Sequence, residues 1–206
     1  MIIGLVGKAR SGKDTFASIL YKKMDKLDIL FLTFSFAGDL KARVMEDFEL
    51  DYEQINGNLK EVPDPRYPKK DGGFWTPREI LQFMGTEAYR SIDNNFWVKQ
   101  LMDKNIDIMA NREDGEAFNF IITDCRFPDE VRAIEDRGGI IIRITRADRD
   151  AITNDKHASE TALDNFNFRN VIEVDNSGSL HNLNNEVGRV IKMLNFDKLK
   201  QASGGK

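Results

Sequence analysis

The chain has 206 residues, long for one ordinary domain and short for two, which points to a single α/β core carrying inserted loops. Hydrophobic residues make up 41% and charged residues 31%, with only 5 prolines, a balance that excludes disordered and fibrous classes. Its 34 acids outnumber 30 bases, so a net charge of −4 leaves no general field to recruit nucleic acid or an anionic membrane surface.

No apolar run approaches the ~20 residues of a membrane span and no signal peptide opens the sequence, so a cytoplasmic location is expected. A single cysteine, Cys125, excludes an internal disulfide and any multi-cysteine metal site. It closes an apolar run and is expected to be a buried thiol rather than a nucleophile.

In chain order, residues 1–6 read as a strand, followed by a glycine-containing loop and a helix over 14–22 that spaces Phe16, Ile19 and Leu20 on one face. Residues 27–36 predict a second strand and 38–48 a helix with Leu40, Val44 and Met45 inward. The stretch 49–73, with Pro63, Pro65, Pro68 and Gly72-Gly73, reads as a polar surface connection. Helical spacing returns at Thr76-Pro77, with Thr76 as N-cap, Pro77 at the first helical position and Ile80, Leu81 and Met84 on one face. A helix over 96–109 and an acidic turn at 112–116 lead to a strand at 118–123, a helix at 129–137 and a strand at 140–145. After a polar excursion, 146–169, a short strand at 171–174 and a helix at 180–194 close the fold, and 201–206 reads as a flexible tail. Uniformly apolar strands separated by helices argue for a parallel sheet covered on both faces, with ligands at the carboxyl ends of the strands and the two polar excursions as candidate flaps.

The segment Gly7-Lys8-Ala9-Arg10-Ser11-Gly12-Lys13 fits G-x-x-x-x-G-K between a strand and a helix. Its glycines let backbone N–H groups wrap phosphates, and Lys13 can reach the β- and γ-phosphates of ATP. The next residue departs from the pattern, because Asp14 replaces the usual Mg²⁺-binding hydroxyl while Thr15 still supplies one beside it. Asp14 can hold Mg²⁺ through water, orient a basic group or cap the helix; all three stay open. Asp124, at the end of the third strand, can hold Mg²⁺ or its waters, or form a turn, and Arg126 projects from the same edge with a bidentate fork suited to phosphate. Lys41, Arg78, Arg90, Arg146 and Arg149 add basic groups near loop and helix starts, as phosphoryl transfer requires. No recognisable catalytic-base segment is present, which favours a phosphate acceptor, largely a dianion at neutral pH, over a hydroxyl. His157 and His181 lack zinc-ligand spacing, and Ser159 and Glu160 read as a helix start. Phe74, Trp75, Phe83 and Trp97 are expected mostly in the core, with one or two free to stack on a base.

These segments together resemble the phage-type deoxynucleoside monophosphate kinases, a P-loop family similar in fold to adenylate kinase. The matching motifs are Gly12-Lys13-Asp14-Thr15, Phe36-Ala37-Gly38-Asp39-Leu40-Lys41, Thr76-Pro77-Arg78-Glu79-Ile80-Leu81-Gln82, Gly85-Thr86-Glu87 with Arg90 and Trp97, Asp124-Cys125-Arg126-Phe127-Pro128-Asp129-Glu130, and His157-Ala158-Ser159-Glu160. They run in order over residues 2–194.

The resemblance implies one P-loop kinase domain over 1–200, with an acceptor-binding insertion at about 37–115 and a lid at about 146–169. It implies that Lys41, Arg78, Gln82 and Arg126, with Arg90, face a dNMP. Gly7, Arg10, Ser11, Gly12, Lys13 and Thr15 would hold ATP, with Arg146 and Arg149 in the lid, and Asn176 and Gly178 would lie near adenine. Lys13, Asp14, Arg126 and Arg146 are the catalytic candidates, and Asp14 and Asp124 the candidates around Mg²⁺. The expected reaction is ATP + dNMP → ADP + dNDP, in the cytoplasm of the host if the gene is a phage's. A kinase for a phosphate such as phosphomevalonate, or an ATP-binding regulatory module that transfers nothing, are the rival readings. Base choice, ribose rejection and pairing into a homodimer are left open by the sequence.

Overall fold

The computed structural model describes residues 1–111, 118–147 and 157–194. Five parallel strands form one sheet: β1 (Ile2–Val6), β2 (Phe31–Phe34), β3 (Asn119–Cys125), β4 (Ile140–Thr145) and β5 (Val171–Asp175), in spatial order β2-β3-β1-β4-β5. Successive side chains of a strand point to opposite faces, and uniformly apolar strands therefore need cover on both. Phe120, Ile122 and Ile141 join one core, and Ile121, Ile142 and Ile144 join the other.

The second core is roofed by α1 (Lys13–Asp25) through Phe16 and Leu20, and by the last helix through Leu183, Val187 and Val190. The first is covered by helices inserted between β2 and β3. These are α2 (Ala37–Asp47), α3 (Tyr52–Asn56), a 3₁₀ turn (Asn58–Glu61), α4 (Pro77–Gln82) and α5 (Phe96–Val98). Both α4 and α5 continue through wider, π-helical stretches, Phe83–Ala88 and Lys99–Ile106, into further α turns, Tyr89–Ile92 and Asp107–Ala110. Then α6 (Pro128–Glu135) packs on the same face, close enough that a Cβ on Gly4 would lie 2.7 Å from Ile134 Cδ1. A short α7 (Ala158–Thr161) precedes β5, and α8 (Leu180–Met193) ends the described chain. No helix among the described residues is long and apolar enough to cross a membrane.

Two expectations change. Residues 27–30 do not join β2: the turn after α1 takes them, with Ile29 N donating to Met24 O at 3.1 Å and Asp28 left-handed at φ 57°. The stretch 49–73 is structured rather than a bare connection. Asp51 and Gln54 form a reciprocal capping box at α3, Ile55 is fully buried, and buried Asp64 accepts from Gln54 Nε2 at 2.9 Å and Arg66 Nη2 at 2.6 Å. At α4 the expected cap is present, with Thr76 Oγ1 accepting from Glu79 N at 3.2 Å and Glu79 Oε2 accepting from Thr76 N at 2.8 Å. Trp97 is core and Trp75 partly buried, whereas Phe74 and Phe83 are 43% and 46% exposed.

Candidate active site

In a parallel sheet all carboxyl ends share one edge, and there β1 runs into Gly7, β3 into Arg126, β4 into Arg146 and β5 into Asn176. The loop after β1 turns back on itself, with Ser11 N donating to Lys8 O at 3.1 Å. It enters α1 through Gly12, left-handed at φ 97° and pressed against the Asn176 side chain so that a Cβ there would collide with it. No side chain caps α1, which leaves the amides of its first turn, at the positive end of the helix dipole, for an anion. Arg10 is exposed, and Ser11 Oγ is buried with no partner among the described residues.

Lys13 is buried and its Nζ donates to Gly7 O at 2.6 Å and Lys8 O at 2.8 Å, holding the ammonium inside the curl of the loop. Burial, then the charge of Arg126, lowers its pKa to about 8; Glu160, Asp14 and Asp124 pull the other way. Asp14 and Thr15 are exposed, and neither side chain makes a hydrogen bond or ion pair with the described residues.

Asp124 is placed differently. Its Oδ1 accepts from Phe36 N at 2.7 Å and its Oδ2 from Ala37 N at 2.9 Å, so the end of β3 caps α2. Withdrawal from water raises this carboxyl's pKa against the pull of those amides, Arg126 and Lys41.

Arg126 is the junction of the site. Its Nη1 donates to the Glu160 carboxylate and, at 3.4 Å, to Ser159 O. The other oxygen of Glu160 accepts from Ala9 N at 2.9 Å, so one buried carboxylate of α7 ties Arg126 to the P-loop. His157 caps α7 and also reaches Glu87 Oε1 with Nε2 at 3.1 Å, linking α7 to the insertion. A cleft lined by Gly7, Lys8, Arg126, Ser159 and Glu160 opens between these elements.

On the insertion side, Lys41 of α2 donates to Asn56 Oδ1 at 2.9 Å and Arg78 of α4 to Glu61. Gln82, later in α4, is partly exposed. Lys60, which no sequence motif singled out, is on the 3₁₀ turn that follows Asn56 and ends at Glu61, and the charges of Lys41, Arg78 and Arg126 all act on it. Its only sequence signal was a lysine within a polar stretch. The Glu160 bridge, 151 residues from its partner amide, had no local signal beyond the His-x-Ser-Glu pattern.

Arg90 is not among the residues lining the cleft, but shares Glu130 with the Arg126 amide. It is buried with Nη1 on Asp129 Oδ2 at 2.7 Å and Asn94 O at 2.8 Å, Nη2 on Glu130, and its guanidinium 3.9 Å from the Phe127 ring centroid. Burial pushes Glu130 up to about 8, with Arg90 and the Arg126 amide pulling down. Asn176 is buried beneath the P-loop, its Nδ2 donating to Ser11 O at 2.8 Å, and so braces the loop. Gly178 lines a recess with Thr145, Asp175 and Asn182. Arg149 lies outside the described residues. Cys125 is buried and its thiol is raised well above its ordinary pKa, as a packing residue.

A five-stranded parallel sheet whose first strand feeds a glycine-rich loop and an uncapped helix defines a P-loop protein of the α/β class. Comparison with known proteins narrows the class. The profile of the deoxynucleotide monophosphate kinase family matches residues 67–187. A protein of Acanthamoeba polyphaga mimivirus with the provisional name deoxynucleotide monophosphate kinase is 34% identical over 197 residues, covering 85% of this chain and 89% of its own. An uncharacterized protein, ORF77, of Ictalurid herpesvirus 1 (strain Auburn) is 34% identical over 93 residues, 43% of this chain and 37% of its own. Among solved structures, the shikimate kinase of Aquifex aeolicus vf5 aligns over 97% of this chain and 99% of its own at 14% identity, with a TM-score of 0.40. The chain belongs to the deoxynucleotide monophosphate kinase family and is a nucleotide monophosphate kinase.

Proposed function

We propose that the chain transfers the γ-phosphoryl group of ATP, bound with Mg²⁺, to the phosphate of a deoxynucleoside monophosphate, giving ADP and a dNDP. The observation that carries this reading is Arg126, which shares the Glu160 carboxylate with Ala9 N of the P-loop and whose charge also acts on Lys60 of the insertion. Two anion sites sharing one guanidinium suit a donor and an acceptor phosphate brought together in line.

On the donor side, Lys13 and the first-turn amides of α1 bind the β- and γ-phosphates, while Gly7, Ser11 and Gly12 let the backbone approach and exposed Arg10 adds charge at the mouth. The residues present fit a hydrated Mg²⁺, because Asp14 and Thr15 offer oxygen ligands beside the loop with no competing partner among the described residues. When bound there, the ion would neutralise charge on the transferring group. Asp124 contributes by fixing α2, and its carboxylate would hold a water of that ion. Arg146, just after β4, closes over the donor, and Gly178 borders the recess for its base.

On the acceptor side, Lys41, Arg78 and Arg126 hold the monophosphate and Gln82 faces its base. Two carboxylates of the site, Glu160 and Asp124, are both occupied by N–H donors and so are poorly placed as general bases. A phosphate acceptor needs none, since its second pKa near ~6 leaves it a dianion at neutral pH. The test is a panel of the four dNMPs, the NMPs and phosphomevalonate in an ADP-release assay. Release stimulated by at least one dNMP supports the reading, and stimulation by phosphomevalonate alone, or by nothing, removes it.

A further inference from the structure

The 3₁₀ turn Asn58–Glu61 is fastened from both sides. Before it, Asn56 accepts from Lys41 Nζ at 2.9 Å, and at its end Glu61 accepts from Arg78. Lys60 sits between these anchors with a partly buried side chain. Each neighbouring cation has an acceptor: Asn56 for Lys41, Glu61 for Arg78, and Glu160 with Ser159 O for Arg126. Lys60 alone of the four has neither a hydrogen bond nor an ion pair among the described residues.

A lysine with a free choice extends its flexible stem until the ammonium is fully hydrated. Here the side chain is partly buried on a turn pinned by Lys41 through Asn56 and by Arg78 through Glu61, and the charges of Lys41, Arg78 and Arg126 act on its ammonium against that of Glu61, itself committed to Arg78. Three cations gathered round an unpaired fourth repel one another, and a dianion placed among them relieves that repulsion.

We propose that Lys60 is a direct ligand of the acceptor's phosphate dianion, completing a four-cation subsite with Lys41, Arg78 and Arg126. This rests on the reading of the acceptor as a dNMP, and it assigns a phosphate contact to the 3₁₀ turn, which carries none of the recognised motifs. The pKa of Lys60 is lowered to about 8 by burial and then by those three cations, so the subsite loses one charge as pH rises through that value. The acceptor is dianionic only above about 6, and the affinity window therefore lies between those limits.

The experiment is calorimetric titration of the full chain with dAMP, dGMP, dCMP and dTMP, without ATP, at pH 7 and pH 9. Wild type is compared with Lys60→Gln and Lys60→Arg, and ATP binding and thermal unfolding of each variant are measured alongside. Loss of one charge-assisted contact predicts about tenfold or more weaker dNMP binding by Lys60→Gln at pH 7, with ATP binding unchanged. Lys60→Arg, charged at both pH values, restores binding and shows a smaller loss at pH 9 than wild type. Undiminished dNMP binding by Lys60→Gln overturns the assignment while leaving the kinase reading intact, and so does an equal loss of ATP binding. Failure of wild type to bind any of the four removes the reading beneath it and Lys60's role with it.

Discussion

Glu160 Oε2 accepts the amide of Ala9 at 2.9 Å, joining α7 to the P-loop, while the same carboxylate receives Arg126. The P-loop and the shared arginine are therefore held by one buried group, and the geometry of transfer depends on a residue assigned no contact with either phosphate.

Glu160→Ala leaves Arg126 without its carboxylate partner and Ala9 N without an acceptor. A charge-assisted hydrogen bond contributes about 1.5–3 kcal/mol, so kcat/KM should fall roughly 10- to 100-fold. Glu160→Gln keeps an acceptor oxygen and should recover part of the loss. Steady-state kinetics with both substrates varied decide this, and full activity in the alanine variant would show the bridge to be dispensable.

Lys13 gives a proton signature. Its pKa, lowered to about 8 in the free protein, must rise when an anionic triphosphate arrives. The bound state then holds the proton more tightly than the free state, so binding takes up protons near pH 8 and affinity falls as pH rises through that value. Calorimetry of ATP binding in buffers of different ionisation enthalpy reads the uptake directly, and its absence at pH 8 would place Lys13 away from the phosphates.

Asp14 should govern the metal requirement. If it holds Mg²⁺ through water, Asp14→Ala raises the free Mg²⁺ needed for half-maximal rate about 10- to 100-fold. Asp14→Ser, which returns a hydroxyl, should sit between the two. A magnesium titration unchanged in Asp14→Ala would leave it as an N-terminal helix acid only, favourable to the dipole of α1.

Arg90 should act on stability before it acts on catalysis. Its guanidinium is buried between Asp129 and Glu130, and removing one partner of a buried pair costs up to about 3–5 kcal/mol, less to the extent that Glu130, already raised to about 8, takes a proton. Arg90→Met should therefore lower the urea midpoint strongly. An unaltered midpoint together with weakened dNMP binding would make it a substrate contact instead.

The sheet and the donor loop were legible because their signals are local: apolar runs of strand length, a glycine at each end of the loop, and Thr76-Pro77-Arg78-Glu79 spelling out a helix start. The acceptor half was legible only in part. Asp124 reads as a strand-end carboxylate, but that it caps α2 depends on Phe36 and Ala37 reaching it across 88 and 87 residues. The structure within 49–73 was hidden by its prolines and polar composition, although Asp51-x-x-Gln54 is a capping box in plain sight. The sequence offers Arg90 as a cationic residue facing the acceptor and does not show that Asp129 and Glu130 fold against it. Lys60 differs from other surface lysines only through three neighbours brought from α2, α4 and the end of β3.

The central claim is transfer from ATP to a monophosphate, and following a label in the γ-phosphoryl group of ATP tests it most directly. With Mg²⁺ and the four dNMPs present, the account predicts label in the β-position of a dNDP, and loss of that transfer in Lys13→Ala. Label appearing only as inorganic phosphate, or remaining in ATP whichever dNMP is added, would contradict it.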